Sequence, residues 1–226
     1  MAQIDKNTVK AENQLGNLNK ITFENKNCGG KKILFVGNSI TRHAPKSDIG
    51  WFNDWGMAAS SKDKDYVHVL ENMILKTNPD AEFCICQLAE WERSYKTGDM
   101  LLDSFNTARE FNADIIVIRL IENCPHNDFD HETFSEQYGK MIGYLNKSGK
   151  AEIVVTTGFW KHPADATISL FAAENGFDCV YLGELGEKSE MRADGLFKHS
   201  GVAAHPGDKG MENIAMMIYE KLKKHL

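Results

Sequence analysis

From position 32 onward, short apolar runs alternate with longer stretches in which apolar residues recur at helical spacing. Lys32-Ile33-Leu34-Phe35-Val36 is apolar at consecutive positions, as expected of a parallel strand covered on both faces. Similar runs follow at Glu82-Phe83-Cys84-Ile85-Cys86, Ile115-Ile116-Val117-Ile118, Ile153-Val154-Val155 and, more weakly, Cys179-Val180-Tyr181-Leu182. Between them the spacing predicts helices over Tyr66 to Lys76, Met100 to Phe111, Phe134 to Leu145 and Ile168 to Ala173. A last helix carries Met211, Ile214, Ala215, Ile218 and Leu222 on one side.

Strict alternation of strands and helices predicts a five-stranded parallel sheet with right-handed crossovers and helices on both faces, a flavodoxin-like three-layer α/β/α sandwich. Residues 1–30 are polar, rich in Asn and Lys, and end in Gly29-Gly30, so they are expected to be an irregular lead-in to a single domain over 31–226. In such sheets ligands gather beyond the carboxyl ends of the strands. The segments to inspect are therefore 37–43, 87–91, 119–124, 158–162 and 191–205.

Composition removes some function classes. The chain has 32 acidic and 26 basic side chains and a net charge of -6, and no run of five Lys or Arg, which argues against a nucleic-acid partner. No apolar segment approaches the roughly 20 residues that span a bilayer, and the first 30 residues carry no secretory pattern. A cytoplasmic location is expected, although a secreted chain lacking its signal peptide would read the same. The five cysteines lack metal-like or C-x-x-C spacing and are expected to be free, mostly buried thiols. Cys84 and Cys86 should share one face of their strand.

Nucleotide and metal chemistry find no support: the sequence has no G-x-x-x-x-G-K-[ST], G-x-G-x-x-G or H-E-x-x-H, so neither cofactor nor metal is expected. Gly37-Asn38-Ser39-Ile40-Thr41 follows the first strand and places a hydroxyl at the sheet's edge. A serine there caps a helix more often than it attacks a substrate. A serine nucleophile needs a base, and of eight histidines His205 stands out, in the loop after the last strand and before the final helix.

With these residues in view, the chain resembles the SGNH (GDSL-like) hydrolases. Gly37-Asn38-Ser39-Ile40-Thr41 resembles their first motif, Asn53-Asp54-Trp55-Gly56-Met57-Ala58 the second, Glu122-Asn123 the third, and His205-Pro206 with Asp208 and Gly210 the last. Each motif is short, but four in order on matching elements form a coherent signal from Ile33 to about Ile218. The resemblance implies Ser39 as nucleophile, His205 as general base, and an oxyanion hole from the Ser39 amide, the Gly56 amide and the Asn123 carboxamide. Such donors act by stabilising the charge that develops on the carbonyl oxygen during attack.

The sequence also departs from that pattern. Val202 stands where the family has an aspartate three residues before the histidine. The third triad member is therefore unassigned: a backbone carbonyl near Val202 would give a Ser-His dyad, and Asp194 or Glu190 would give a triad. Asp208 reads as a helix cap. Ile121 replaces a frequent glycine and is expected to narrow the site or to shift the Asn123 loop, which favours a small acyl group. Trp51, Trp55, Trp91 and Trp160 fall mainly in rim loops, where indoles can stack on sugars or simply cover loop cores. His43, Arg119 and His162 are further candidates for substrate contact. The expected substrate is a small-molecule or carbohydrate ester of a short acyl group, acetyl first. The alternative is a noncatalytic α/β ligand-binding module or lapsed hydrolase.

Overall fold

The structure, a computed structural model, describes residues 20–226. Its single sheet has six strands: β1 (Ile21–Glu24), β2 (Lys32–Gly37), β3 (Glu82–Gln87), β4 (Ile115–Arg119), β5 (Glu152–Thr156) and β6 (Asp178–Val180), in the order β1-β3-β2-β4-β5-β6. Strands β2 to β6 are parallel, with Phe35 opposite both Ile85 and Val117. The five expected strands are all present. The sixth, β1, pairs antiparallel with β3 (Ile21 with Cys86, Glu24 with Phe83) and lies within the expected lead-in, the rest of which up to position 19 lies outside the described residues. Its four residues alternate apolar and polar, and only Ile21 and Phe23 reach the core. An edge strand covered on one face leaves that weak period-2 trace in place of a continuous apolar run.

Seven α-helices occur among the described residues: α1 (Tyr66–Leu75), α2 (Ala89–Arg93), α3 (Asn106–Glu110), α4 (His131–Leu145), α5 (Ala164–Asn175), α6 (Ser200–Ala203) and α7 (Asp208–Leu222). No helix among the described residues is long and apolar enough to cross a membrane. The continuous helix expected over 100–111 is instead a 3₁₀ stretch, Tyr95–Phe105, kinked at Thr97, leading into the short α3. Leu102 and Phe105 are buried three positions apart, the repeat that a 3₁₀ helix aligns on one face, and Ala108 and Phe111 continue the buried side through α3.

Because successive strand residues point to opposite faces, β2 sends Leu34 and Val36 to one core layer and Ile33 and Phe35 to the other. Cys84 and Cys86 share the first layer, as expected, with Phe134, Tyr138, Met141 and Leu145 of α4. The second layer receives Tyr66, Leu70 and Ile74 of α1 and the whole apolar stripe of α7. Three cysteines (84, 86, 124) are buried, and Cys28 is exposed. Helices on both faces leave the carboxyl ends of β2, β3 and β4 as the place where loops converge.

Candidate active site

The chain leaves β2 in a tight turn in which the amides of Thr41 and Arg42 both donate to the Asn38 carbonyl, each at 3.0 Å. Gly37 is required for it: a Cβ there would sit 1.7 Å from Thr41 Oγ1. The turn lifts Ser39 out of the sheet while Asn38 stays fully buried. No protein group among the described residues accepts the Ser39 N–H. The loop carrying His205 is tied down by Ala193 N–H donating to the His205 carbonyl (2.9 Å), by Gly207 N–H donating to the Met191 carbonyl (3.0 Å) and by a bridge between Arg192 and Pro206.

These two loops meet. Ser39 Oγ lies 2.9 Å from His205 Nε2, across 166 positions of sequence. On the other side of the ring, Nδ1 lies 2.6 Å from the Gly201 carbonyl oxygen. A carbonyl can only accept, so Nδ1 carries the proton and Nε2 is left as acceptor for the serine hydroxyl. Trp160 packs edge-on against the imidazole at 5.7 Å. Burial lowers the His205 pKa to about 4, against the Gly201 bond and the Glu122 charge, which raise it; Arg119 and His43 lower it further.

Neither acid considered from the sequence is hydrogen-bonded to His205. The Asp194 carboxylate is held by Arg192 (2.6 Å), and Glu190 is exposed and faces a separate cavity with Arg192 and Leu196. The backbone-carbonyl arrangement is the one observed, with Gly201 as the acceptor. Asp208 is the first residue of α7, not its cap, and its carboxylate receives the Ser60 N–H (2.8 Å) and hydroxyl (2.6 Å).

The oxyanion expectation needs a correction at Gly56. Its N–H donates to Asp65 Oδ2 (2.9 Å), the buried carboxylate that also caps α1 through the His68 N–H. Gly56 is needed for packing instead, since a Cβ would come 2.5 Å from the Ile40 carbonyl oxygen and 2.8 Å from Asp65 Cβ. The next amide, of Met57, ties this loop to the Ser39 carbonyl at 2.9 Å. Asn123 does reach the cleft with Ser39 and His205. Its orientation is fixed at both ends, with Nδ2 donating to Glu92 Oε2 (2.5 Å) and Oδ1 accepting from Arg93 Nη2 (2.9 Å).

Beneath the cleft is a buried polar network that sequence reasoning missed. Glu92 Oε1 accepts from Asn38 Nδ2 (2.9 Å) and from the Ile121 amide. Asn38 also donates to Glu122 and accepts from Arg119, and Arg119 grips Glu122 through both terminal nitrogens. Burial works against the Glu122 charge, but Arg119, together with the Phe159 amide and Asn38, outweighs it and holds the pKa below the usual carboxylate range. Glu92 is pushed above that range, first by burial and then by the negative Glu122. The only sequence signal was position: Glu92 stands one residue beyond the rim segment 87–91.

Other candidates separate cleanly. His43 lines the cleft, whereas Arg119 is fully buried below it, and His162 is buried, bonded to the Cys124 carbonyl and the Ala164 amide. None of the four tryptophans lines the cleft: Trp51 and Trp91 are buried, Trp55 donates to the Ala59 carbonyl, and Trp160 backs His205. Ile121 does not narrow the cleft either. It is wholly buried in the core with φ of 143°, a conformation a β-branched residue rarely adopts. The cleft has a volume of about 630 Å³, room for much more than an acetyl group.

No family model matches the sequence, and no curated protein matches it. Solved structures do match by fold. A two-domain esterase active on acetylated mannans superposes with a TM-score of 0.56 at 16% identity, covering 86% of this chain and 49% of that one. This chain thus spans about half the length of that esterase. The psychrotrophic esterase EstA from Pseudoalteromonas sp. gives 0.54 at 12% identity, with 86% and 97% covered. A lipolytic protein of the G-D-S-L family from Veillonella parvula gives 0.52 at 13% identity, with 86% and 99% covered. The chain has the α/β fold of the SGNH, or GDSL-like, esterases.

Proposed function

We propose that this protein is a serine esterase that removes a short acyl group, acetyl in the simplest case, from a carbohydrate ester without a cofactor. The observation that carries the reading is the 2.9 Å contact between Ser39 Oγ and a His205 Nε2 whose tautomer is fixed by Gly201. A fold neighbour described as active on acetylated mannans, and another described as a family two carbohydrate esterase from Cellvibrio japonicus, agree with it.

In this mechanism His205 Nε2 takes the hydroxyl proton as Ser39 Oγ bonds to the ester carbonyl carbon. The unengaged Ser39 N–H and the second Nδ2 hydrogen of Asn123 receive the negative oxygen. His205 then protonates the leaving alcohol as the tetrahedral intermediate collapses to acyl-Ser39. Water, deprotonated by the same nitrogen, attacks that acyl group and releases the carboxylic acid and free Ser39. The Gly201 carbonyl holds the ring in place as a triad acid would, but stabilises the imidazolium less because it carries no full charge.

The engagement of the Gly56 amide by Asp65 favours a second reading, a noncatalytic relative that keeps the cleft to bind a ligand. Labelling with a fluorophosphonate, read by peptide mass, separates the two. On the esterase reading the label sits on Ser39 and is lost in Ser39→Ala and His205→Ala; an unlabelled chain, or label on another serine, refutes the assignment. A burst of product from a chromogenic acetate would mark the acyl-enzyme.

A further inference from the structure

Although the chain carries a net charge of -6, the side chains lining the cleft around Ser39 include Lys46, Arg93, His43 and His199 and no Asp or Glu. The sign of the cleft is therefore opposite to that of the molecule. Arg93 is the best placed of these groups. One terminal nitrogen donates to Asn123 Oδ1 at 2.9 Å, which sets the guanidinium beside the oxyanion donor. Among the described residues no carboxylate forms an ion pair with Arg93, so the remaining N–H groups of its fork are left for a ligand.

Lys46 lines the same cleft from the loop between His43 and Trp55, which the Lys46 and Trp51 backbone pair holds in shape. Its one contact with an acid among the described residues, Asp48 at 3.7 Å, is between two exposed groups and contributes little. Asp54, whose charge His43 feels, is itself engaged by Arg42 at 2.7 Å. In the floor, the Glu122 charge is matched by Arg119.

We propose that the ester this site takes carries a fixed negative charge on its alcohol portion, a carboxylate or a sulfate-like group held between Arg93 and Lys46 while its acyl group meets Ser39. The inference rests on the esterase reading and narrows its substrate class from carbohydrate esters at large to acidic ones. Both cations are exposed at the mouth of the cleft, where the alcohol portion must lie if the acyl carbon is at Ser39. The planar fork of Arg93 matches a carboxylate or sulfate through paired N–H groups, and Lys46 supplies a mobile point charge.

The test uses three matched aryl acetates: 4-acetoxybenzoate, 4-acetoxybenzenesulfonate and neutral 4-acetoxybenzamide, each normalised to its own alkaline hydrolysis. At low salt kcat/KM for at least one anion should exceed that for the amide by about tenfold, and the advantage should shrink at high ionic strength. Preference for the benzoate alone assigns a carboxylate, for the sulfonate alone a sulfate-like group, and for both any compact anion. In the Arg93→Gln, Lys46→Gln double variant the anion-to-amide ratio should fall to about one. A wild-type ratio near one, or a ratio unchanged in the double variant, overturns the proposal while turnover and Ser39 labelling leave the esterase reading standing. Absence of both turnover and label overturns the esterase reading and this proposal together.

Discussion

His205 Nδ1 stands 2.6 Å from the carbonyl oxygen of Gly201, four residues earlier in the chain. A peptide carbonyl does here what a carboxylate does in a triad, fixing which ring nitrogen is free, but adds no charge to raise the basicity of the ring.

The first consequence is a pH profile. The His205 pKa lies at about 4, so the imidazole stays neutral and able to accept the Ser39 proton well below the ordinary histidine value of 6.5. We expect kcat/KM to hold from neutrality down toward pH 5 and to fall only as pH approaches about 4. A limb at 6.5 or above would contradict this environment for His205. Stability has the same sign: the unfolded chain takes up this proton at higher pH than the folded one, so the contribution of His205 weakens as pH falls below 6.5.

In the proposed mechanism Asn123 is the side-chain donor to the oxyanion, while the Gly56 backbone amide is committed to Asp65. Asn123→Ala should lower kcat by about 100- to 1,000-fold with little change in KM, as removal of a donor that acts on the developing charge does elsewhere. A loss confined to KM would mean that Asn123 binds substrate and leaves the transition state alone.

Glu92 holds Asn38, Ile121 and Asn123 at once, through three donors to one carboxylate. In Glu92→Gln one of those donors meets an amide N–H2 where it had an acceptor, and the Asn123 carboxamide loses its fixed direction. Activity should fall by up to about 100-fold, the scale of a misplaced catalytic group. Because burial raises the Glu92 pKa, the folded chain holds this proton more tightly than the unfolded one. Wild type should therefore gain stability relative to the variant as pH falls from neutrality into the carboxylate range, as denaturant melts at several pH values would reveal.

Ile121 pays for its position with backbone strain at φ of 143°. Ile121→Gly loses buried apolar contacts but relieves that strain, whereas Ile118→Gly, three residues earlier in β4 and equally buried, loses only contacts. The first variant should be more stable than the second by about 1–3 kcal/mol, measured by equilibrium unfolding. Equal losses would mean that the conformation at Ile121 carries no penalty.

Much of the architecture was legible in sequence because a doubly covered parallel strand writes itself as a continuous apolar run. Runs at Ile33, Phe83, Ile115 and Ile153 each became a central strand, and the stripes of α4 and α7 face the core as read. β1 was not legible, since an edge strand of four residues buries too little to stand out from a polar neighbourhood. The helix expected over 100–111 is 3₁₀ as far as Phe105 and α-helical only from Asn106, and three-residue spacing of buried positions fits either geometry, so the pattern could not tell them apart.

The sequence by itself determined the layered fold and put Ser39 and His205 on one rim, because hydrophobic periodicity and residue type are local properties of the chain, and its resemblance to the SGNH hydrolases nominated Asn123. Which acceptor fixes the His205 ring, where the Gly56 amide points, and that Glu92 underlies Asn123 were decided only by tertiary structure. Each is a hydrogen bond whose direction depends on two loops meeting within about 3 Å, and no spacing along the chain encodes that distance.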